Sequence, residues 1–227
     1  MKKIRVSLIG AAGRMGKTIA DLAGRESNIE IVAQCDLGDV IEPAMKNCDV
    51  AIDFSHADAI EKICRAALQF RRPLIIGTTG HSPTQRQAIE KAAQSMPIVF
   101  ASNFSVGVNA LFALTSNAAE ILSGKFGVEI IETHHRMKKD APSGTAKTLA
   151  EILKKAREID NEIPTRSIRE GEMVGEHTVV FAGPGERVEL THRASSREIF
   201  ARGALLAAEW IVDKPPGLYS MQDVLGL

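Results

Sequence analysis

Residues 4–16 read IRVSLIGAAGRMG, an apolar run that ends in three glycines, Gly10, Gly13 and Gly16, and leads into the helix-like MGKTIADLAGRE of residues 15–26. A strand that stops in glycines and restarts as a helix opens a dinucleotide-binding βαβ unit. Glycines let the backbone close on a pyrophosphate, and the helix N-terminus, here about Arg14 to Lys17, supplies free N–H groups and a positive dipole end. The fingerprint fits as A-x-G-x-x-G from Ala11, with an additional glycine at position 10. Asp36, twenty residues after Gly16 at the end of the strand-like IEIVAQCD (29–36), can accept from ribose hydroxyls. Gly16-Lys17-Thr18 also spells the end of a phosphate-binding P-loop. That motif needs glycine where Ala11 stands, so GKT is read as helix and triphosphate hydrolysis is set aside.

Outward from this turn, apolar runs alternate with helix-like segments: DVAIDF (49–54), ADAIEKICRAALQF (57–70), PLIIGTT (73–79), SPTQRQAIEKAAQS (82–95) and PIVFAS (97–102). The alternation predicts a Rossmann-like, doubly wound parallel sheet, and the continuous apolar strands are those of a sheet covered on both faces. Ligands of such sheets bind beyond the carboxyl ends of the strands. Those ends are polar here: Phe54 and Ser55; Gly77, Thr78 and Thr79; Ser102, Asn103 and Phe104.

After Asn103 the rhythm changes to a helix-like VNALFALTSNAAEIL (108–122), a strand FGVEIIET (126–133), and then HHRMKKDAPSGT (134–145). If the strand stays extended, His134, Arg136 and Lys138 fall on one side of the chain. Pro142 ends the extension, Ser143 suits an N-cap, and the N–H groups of Gly144 and Thr145 open a helix that can hold an anion. Together these describe a pocket for a small carboxylate, with His or Lys to donate a proton. No metal is expected, because adjacent histidines point apart in extended chain and no Cys, Asp or Glu completes a familiar spacing. His56, His81, His177 and His192 are scattered and receive no role. TRSIREG (165–171), EHTVVFAG (176–183) and ERVELTHRA (186–194) read as strands, the last two joined by a Pro-Gly hairpin turn. This half is therefore a second, α+β domain with a mixed sheet open on one face. Val179, Phe181, Val188 and Leu190 are assigned to that open face. The long helix SREIFARGALLAAEWIVDK (196–214) is expected to return to the first domain, giving boundaries of 1–105 with 197–227, and 106–196.

Lys plus Arg equal Asp plus Glu at 28 each, so no general attraction to nucleic acid or membrane is implied. No apolar run approaches the about 18 residues of a bilayer span, and the start MKKIRVSLIG reads as a strand rather than a signal peptide. A cytoplasmic protein is expected. Cys35, Cys48 and Cys64 are read as reduced, buried thiols.

Taken in order, GAAGRMG, IDFS, GTTG, NFSVGVN, EIIETHHRMKKDAPSGTA, GEHTVVFAGPGERVELTHRASSR and FARGA cover essentially the whole chain, and this series resembles the dihydrodipicolinate reductase family of lysine biosynthesis. The resemblance implies reduction of a cyclic unsaturated dicarboxylate by NADH or NADPH after loss of a hydroxyl as water, with hydride to ring C4 and a proton to C3. It implies His134 and Lys138 as catalytic, with His135, Ser143, Gly144 and Thr145 on the substrate. It implies cofactor contacts at Gly10, Ala11, Ala12, Gly13, Arg14, Met15, Asp36, Gly77, Thr78, Thr79, Ala101, Ser102, Asn103 and Phe104, and a homotetramer built through the second domain. The chain departs from the family's pattern in three places. The segment between Asp36 and Asp49 is short, so the crossover there is expected as a stub; Leu37 stands where many relatives place an arginine; Ser102 replaces a commoner alanine or proline. Asp36 with Leu37 favours NADH. The rival readings are a nicotinamide oxidoreductase for another small carboxylate, which gives no reason for HHRMKKDAPSGT, and a non-catalytic dinucleotide sensor, which needs no Lys138.

Overall fold

The computed structural model describes residues 3–25, 28–122 and 124–227. Met1 and Lys2 at the basic start of the first strand, and Glu26 at the end of the first expected helix, lie outside them. The chain divides into two compact units, residues 1–105 with 198–227, and residues 106–197.

The first unit begins β1 (Ile4–Ile9), α1 (Arg14–Arg25), β2 (Ile29–Cys35), α2 (Glu42–Asn47), β3 (Val50–Asp53), α3 (Ile60–Phe70), β4 (Leu74–Ile76), α4 (Pro83–Ala93) and β5 (Pro97–Phe100). The second unit follows with α5 (Val106–Ile121), β6 (Gly127–His134), α6 (Gly144–Arg157), β7 (Thr165–Arg169), β8 (Gly175–Gly183) and β9 (Glu186–Ala194). The chain then returns to the first unit as α7 (Glu198–Ile211), β10 (Gly217–Tyr219) and α8 (Met221–Leu225).

The first sheet runs β10-β5-β4-β3-β1-β2, and every pairing is parallel. Both faces are covered, which is why strands such as VAID are buried throughout. On one face α1 lays down Ile19, Leu22 and Ala23 beside the Ala201, Ala204, Leu205 and Ala208 stripe of α7. On the other, α3 contributes Ile60, Ile63, Cys64 and Ala67, and α4 contributes Ile89, Ala92 and Ala93. Both helices follow the 3.6-residue period. The start of α4 is fixed by Pro83 in its first turn and a reciprocal capping box between Ser82 and Gln85. The shortened segment after Asp36 retains a six-residue helix, α2. All three cysteines are buried and free, and burial pushes the Cys48 thiol up to about 11 and Cys64 to about 12, which leaves them unreactive.

The second sheet runs β7-β6-β8-β9, with β6 and β7 parallel and the other pairings antiparallel. One face is covered by α5 and α6. Val179, Phe181, Val188 and Leu190 belong to that covered core, beside Leu111, Leu149 and Leu153. This corrects their assignment to the open face: an alternating strand shows which residues share a side, but not which side the helices take. The face away from the helices carries exposed Arg187, Glu189 and Thr191.

Candidate active site

In the first unit the carboxyl ends of β1, β3, β4 and β5 carry the predicted nucleotide residues. Gly10 has φ +81°, and a Cβ there would stand 2.5 Å from the Phe54 carbonyl oxygen. The fingerprint therefore opens at Gly10, not at Ala11, because this is the position that needs both the left-handed conformation and the missing side chain. At Gly16 a Cβ would meet the Gly10 carbonyl oxygen at 2.2 Å, so strand and helix touch backbone to backbone. Gly13 closes the turn by donating its N–H to Gly10 O at 3.2 Å, and α1 starts at Arg14 with Met15 and Lys17 in its first turn. The Ala12 N–H donates to both carboxylate oxygens of Asp36, at 3.1 and 2.9 Å.

Beneath the neighbouring loops lies Asp53, fully buried at the end of β3. It accepts from the Ser55 N–H at 3.0 Å, the Ser55 hydroxyl at 2.5 Å and the Thr78 hydroxyl at 2.8 Å. Burial raises its pKa against these hydrogen bonds, which favour the ionised form. Thr78 is thus turned inward, whereas Thr79 is exposed. A Cβ on Gly77 would strike the Phe54 ring at 2.2 Å. Beyond β5, Ala101 and Asn103 are half-buried and Ser102 is exposed. The Asn103 side-chain oxygen accepts from the Ser105 N–H at 2.9 Å. Phe104 is a core residue, its ring 5.7 Å from that of Phe54, so it offers a ligand its backbone rather than its ring.

In the second unit β6 ends at His134, and residues 136–137 form a turn. Lys138 is therefore brought round by that turn, with its N–H on His135 O at 3.1 Å, and not by the strand alternation that the sequence suggests. The His135 N–H is held by Met173 O at 2.9 Å. Lys138 Nζ pairs with Asp140 Oδ1 at 2.9 Å, and this ion pair lowers the Asp140 pKa. His134 is buried, its Nδ1 against Glu132 Oε2, and a Cβ on Gly175 would come within 2.9 Å of its Nε2. Burial lowers the His134 pKa; Glu132 pulls the other way, and Lys138 and Arg169 add to the lowering. Burial alone would raise the carboxyl of Glu132, but hydrogen bonds from Arg169 and Ser167 and the nearby positive charge hold it below its ordinary value.

Ser143 caps α6 as its sequence position suggests, its Oγ accepting the Ala146 N–H at 3.2 Å. It is buried, and the same oxygen lies 3.0 Å from His177 Nε2, so the hydroxyl serves the cap and the histidine. Among the described residues, a Cβ on Gly144 would meet nothing within 4 Å. Gly144 is the first residue of α6, and its N–H has no partner within the helix.

Three participants escaped sequence reasoning: Glu132, Arg169 and His177. Glu132 was visible as an acid in an apolar strand, two residues from His134 and so on its side. His177 sits across from Glu132 in the β6–β8 register, and its ring lies 5.0 Å from that of His134. Glu132, His134 and His177 bring one potential metal-ligand atom each within 4.8 Å, a grouping made across strands that no spacing along the sequence displays. The Glu132 carboxylate is already engaged by the Arg169 guanidinium at 2.7 Å, which supplies the balancing positive charge.

Burial, with His134 adding to it, drives the His177 pKa from 6.5 down to about 4. The neutral imidazole is favoured in the folded state. Its contribution to stability is whole above the unfolded value of 6.5 and is lost as pH falls towards about 4, where only the unfolded chain has taken up the proton. That interval is worth about 3 kcal/mol. Urea unfolding of the native chain should weaken more steeply between these pH values than that of His177→Gln, which keeps a partner for Ser143 without titrating.

The chain matches two family models, "Dihydrodipicolinate reductase, N-terminus" over residues 4–104 and "Dihydrodipicolinate reductase, C-terminus" over residues 107–225. It is 48% identical to a 4-hydroxy-tetrahydrodipicolinate reductase of Akkermansia muciniphila, over 99% of this chain and 98% of that protein. It is 41% identical to one of Syntrophotalea carbinolica, over 99% of each. Among solved structures, a dipicolinate-bound dihydrodipicolinate reductase from Paenisporosarcina superposes with a TM-score of 0.84 at 24% identity, covering 97% of this chain and 98% of that one, and so shares the fold.

Proposed function

The chain belongs to the dihydrodipicolinate reductase family, and from that membership we infer that it reduces 4-hydroxy-tetrahydrodipicolinate, by way of dihydrodipicolinate, to tetrahydrodipicolinate, a step towards diaminopimelate and lysine. The observation that carries this reading is the gathering of His134, Lys138 and the N-terminus of α6 in one unit. A small dicarboxylate needs that combination of cation, helix end and proton donor.

A nicotinamide cofactor fits the first unit, because the Gly10 turn and the Gly77 loop are cradles that side chains would fill. The backbone of Gly10, Ala11, Ala12, Gly13, Arg14 and Met15 would hold its pyrophosphate. Asp36 would hold its adenosine ribose, and Gly77 to Thr79 with Ala101 to Phe104 its nicotinamide half. When bound, the cofactor supplies the hydride that goes to ring C4. The chain's own residues do the rest. The N–H groups of Gly144 and Thr145, with His135, hold a substrate carboxylate, while Ser143 fixes the helix end that presents them. Lys138 donates the proton to C3. The lowered pKa of His134 keeps its imidazole neutral at neutral pH, able to hold or relay a proton. The activity is tested by the loss of reduced-cofactor absorbance with enzymatically generated substrate, and pyridine-2,6-dicarboxylate should inhibit as a planar product-like dianion.

NADH is the preferred cofactor. The Asp36 carboxylate accepts from ribose hydroxyls and repels a 2′-phosphate, and the fully exposed Leu37 offers no compensating charge. Steady-state kcat/KM should be higher for NADH; a clearly higher value for NADPH overturns this assignment. Assembly is a homotetramer through the sheet of the second unit. The face away from the helices carries the partly exposed Ile131 and Ile168 among Arg187, Glu189 and Glu129, where Arg187 pairs with Glu189 at 2.5 Å and Glu129 at 3.7 Å. Light scattering should give four chains at micromolar concentration, and a monomer refutes it. We assign the enzyme to the cytoplasm, where reduced nicotinamide cofactor is available. Among the described residues no helix is long and apolar enough to cross a membrane.

A further inference from the structure

The irregular segment between β6 and α6 carries Lys138, and Arg169 is one of the groups that hold it to the rest of the second unit. Arg169, the last residue of β7, is paired in register with His134 at the end of β6. Its Nη1 donates to Ile168 O at 2.7 Å, which fixes the plane of the guanidinium. From that plane Nη2 donates in two directions, to Glu132 Oε1 at 2.7 Å and to the backbone carbonyl of Asp140 at 2.7 Å. Glu132 is fully buried, and its other oxygen meets Nδ1 of His134. Asp140 holds Lys138 Nζ through its carboxylate. One terminal nitrogen therefore touches both the carboxylate behind the imidazole and the residue that anchors the ammonium.

Resting on the assignment of His134 and Lys138 above, we propose that Arg169 and Glu132 are positioning residues, which set the imidazole and the ammonium in one fixed register. Neither is a reacting group. Glu132 behind Nδ1 fixes the ring's orientation and leaves Nε2 as the working nitrogen. Arg169 turns that placement into a constraint on Asp140, and through it on Lys138. A lysine could not do this, because an ammonium lacks the planar fork that serves Ile168 O, Glu132 and Asp140 O together. Stability gives a poor reason for the pair, since a buried ion pair roughly breaks even against apolar replacements. Placement of reacting groups gives a good one, as misplacement by about 1 Å can cost on the order of 100-fold in rate.

The test is a mutant cycle in the full-length enzyme, with kcat, substrate KM and NADH Kd measured for Arg169→Met, Lys138→Ala and the double variant. Arg169→Met should lower kcat by about 10- to 100-fold and raise substrate KM, with NADH Kd unchanged. In the Lys138→Ala background the same change should cost clearly less than it does alone, because one of the two groups it positions has gone. Glu132→Gln, which keeps the shape and removes the charge, should lower kcat without moving NADH Kd, and Arg169→Lys should fail to restore kcat. Should Arg169→Met lose its cooperative melt, Arg169→Lys takes its place in the cycle. Full multiplicativity of the two changes, or wild-type kcat in Arg169→Met or Glu132→Gln while Lys138→Ala is impaired, overturns the proposal. Wild-type kcat in Lys138→Ala would instead remove the assignment on which it rests.

Discussion

Lys138→Ala is expected to lower kcat by ~10²–10⁴, the usual range for removal of a general acid. This corresponds to about 3–5 kcal/mol of transition-state stabilisation. The ammonium is tethered to Asp140 at 2.9 Å and its side chain is only 23% exposed, so it is neither a freely solvated charge nor a buried one. Such a group can pair with a substrate carboxylate in the ground state and still release a proton as hydride arrives. Substrate KM should therefore rise together with the fall in kcat. The melting temperature and NADH affinity should change little, because Asp140 is exposed and can find water in place of its partner. His134→Gln should lower kcat more than it raises KM, and the two substitutions together should cost less than their sum if the groups work as one unit. Near-wild-type turnover in Lys138→Ala would make the lysine a surface charge and end this mechanism.

Gly10→Ala should be the most damaging single methyl in the nucleotide unit. The left-handed conformation at φ +81° costs an alanine about 1–2 kcal/mol, and the added Cβ would sit 2.5 Å from a backbone carbonyl that cannot swing away. Overpacking of that kind adds about 1–3 kcal/mol, so urea unfolding should report a loss of about 2–5 kcal/mol. Fluorescence titration should show NADH affinity falling with it, because relief of the clash must move either the turn or the Phe54-Ser55 strand end. Ala11→Gly is the contrast. It should cost about 1 kcal/mol or less, with NADH affinity retained. Equal tolerance of the two changes would return the start of the fingerprint to Ala11.

What could be read without the structure was local. Apart from Arg5, Ser7 and Asp53, the runs at 4–9, 50–53 and 74–76 are apolar on both sides of the strand, which a doubly covered sheet asks for. Ser143 announces α6 because a cap is a contact between residues three apart. What escaped depends on register between strands distant in sequence. Nothing local to His177 says that it lies opposite Glu132, and nothing in SIREG says that Arg169 reaches Asp140. The route of Lys138 was misread for a related reason, since the N–H groups of His135 and Arg136 donate to Met173 O and Gly171 O, past the end of the strand at His134, where the chain turns. The orientation of Val179 and Phe181 failed differently. Periodicity divides a strand into two sides, and only the placement of α5 and α6 decides which of them is dry.

The pair of hydrogen bonds from the Ala12 amide to Asp36 has an evolutionary meaning. The carboxylate proposed above to choose between ribose and its 2′-phosphate also accepts the amide that holds the glycine turn. On that assignment, cofactor choice and loop rigidity are one heritable trait. A lineage drifting towards the phosphorylated cofactor by losing this acid would first pass through an enzyme with a slack turn and poor grip on either form. The passable route adds a cation beside the acid, for instance at the exposed Leu37, and keeps the clasp in place.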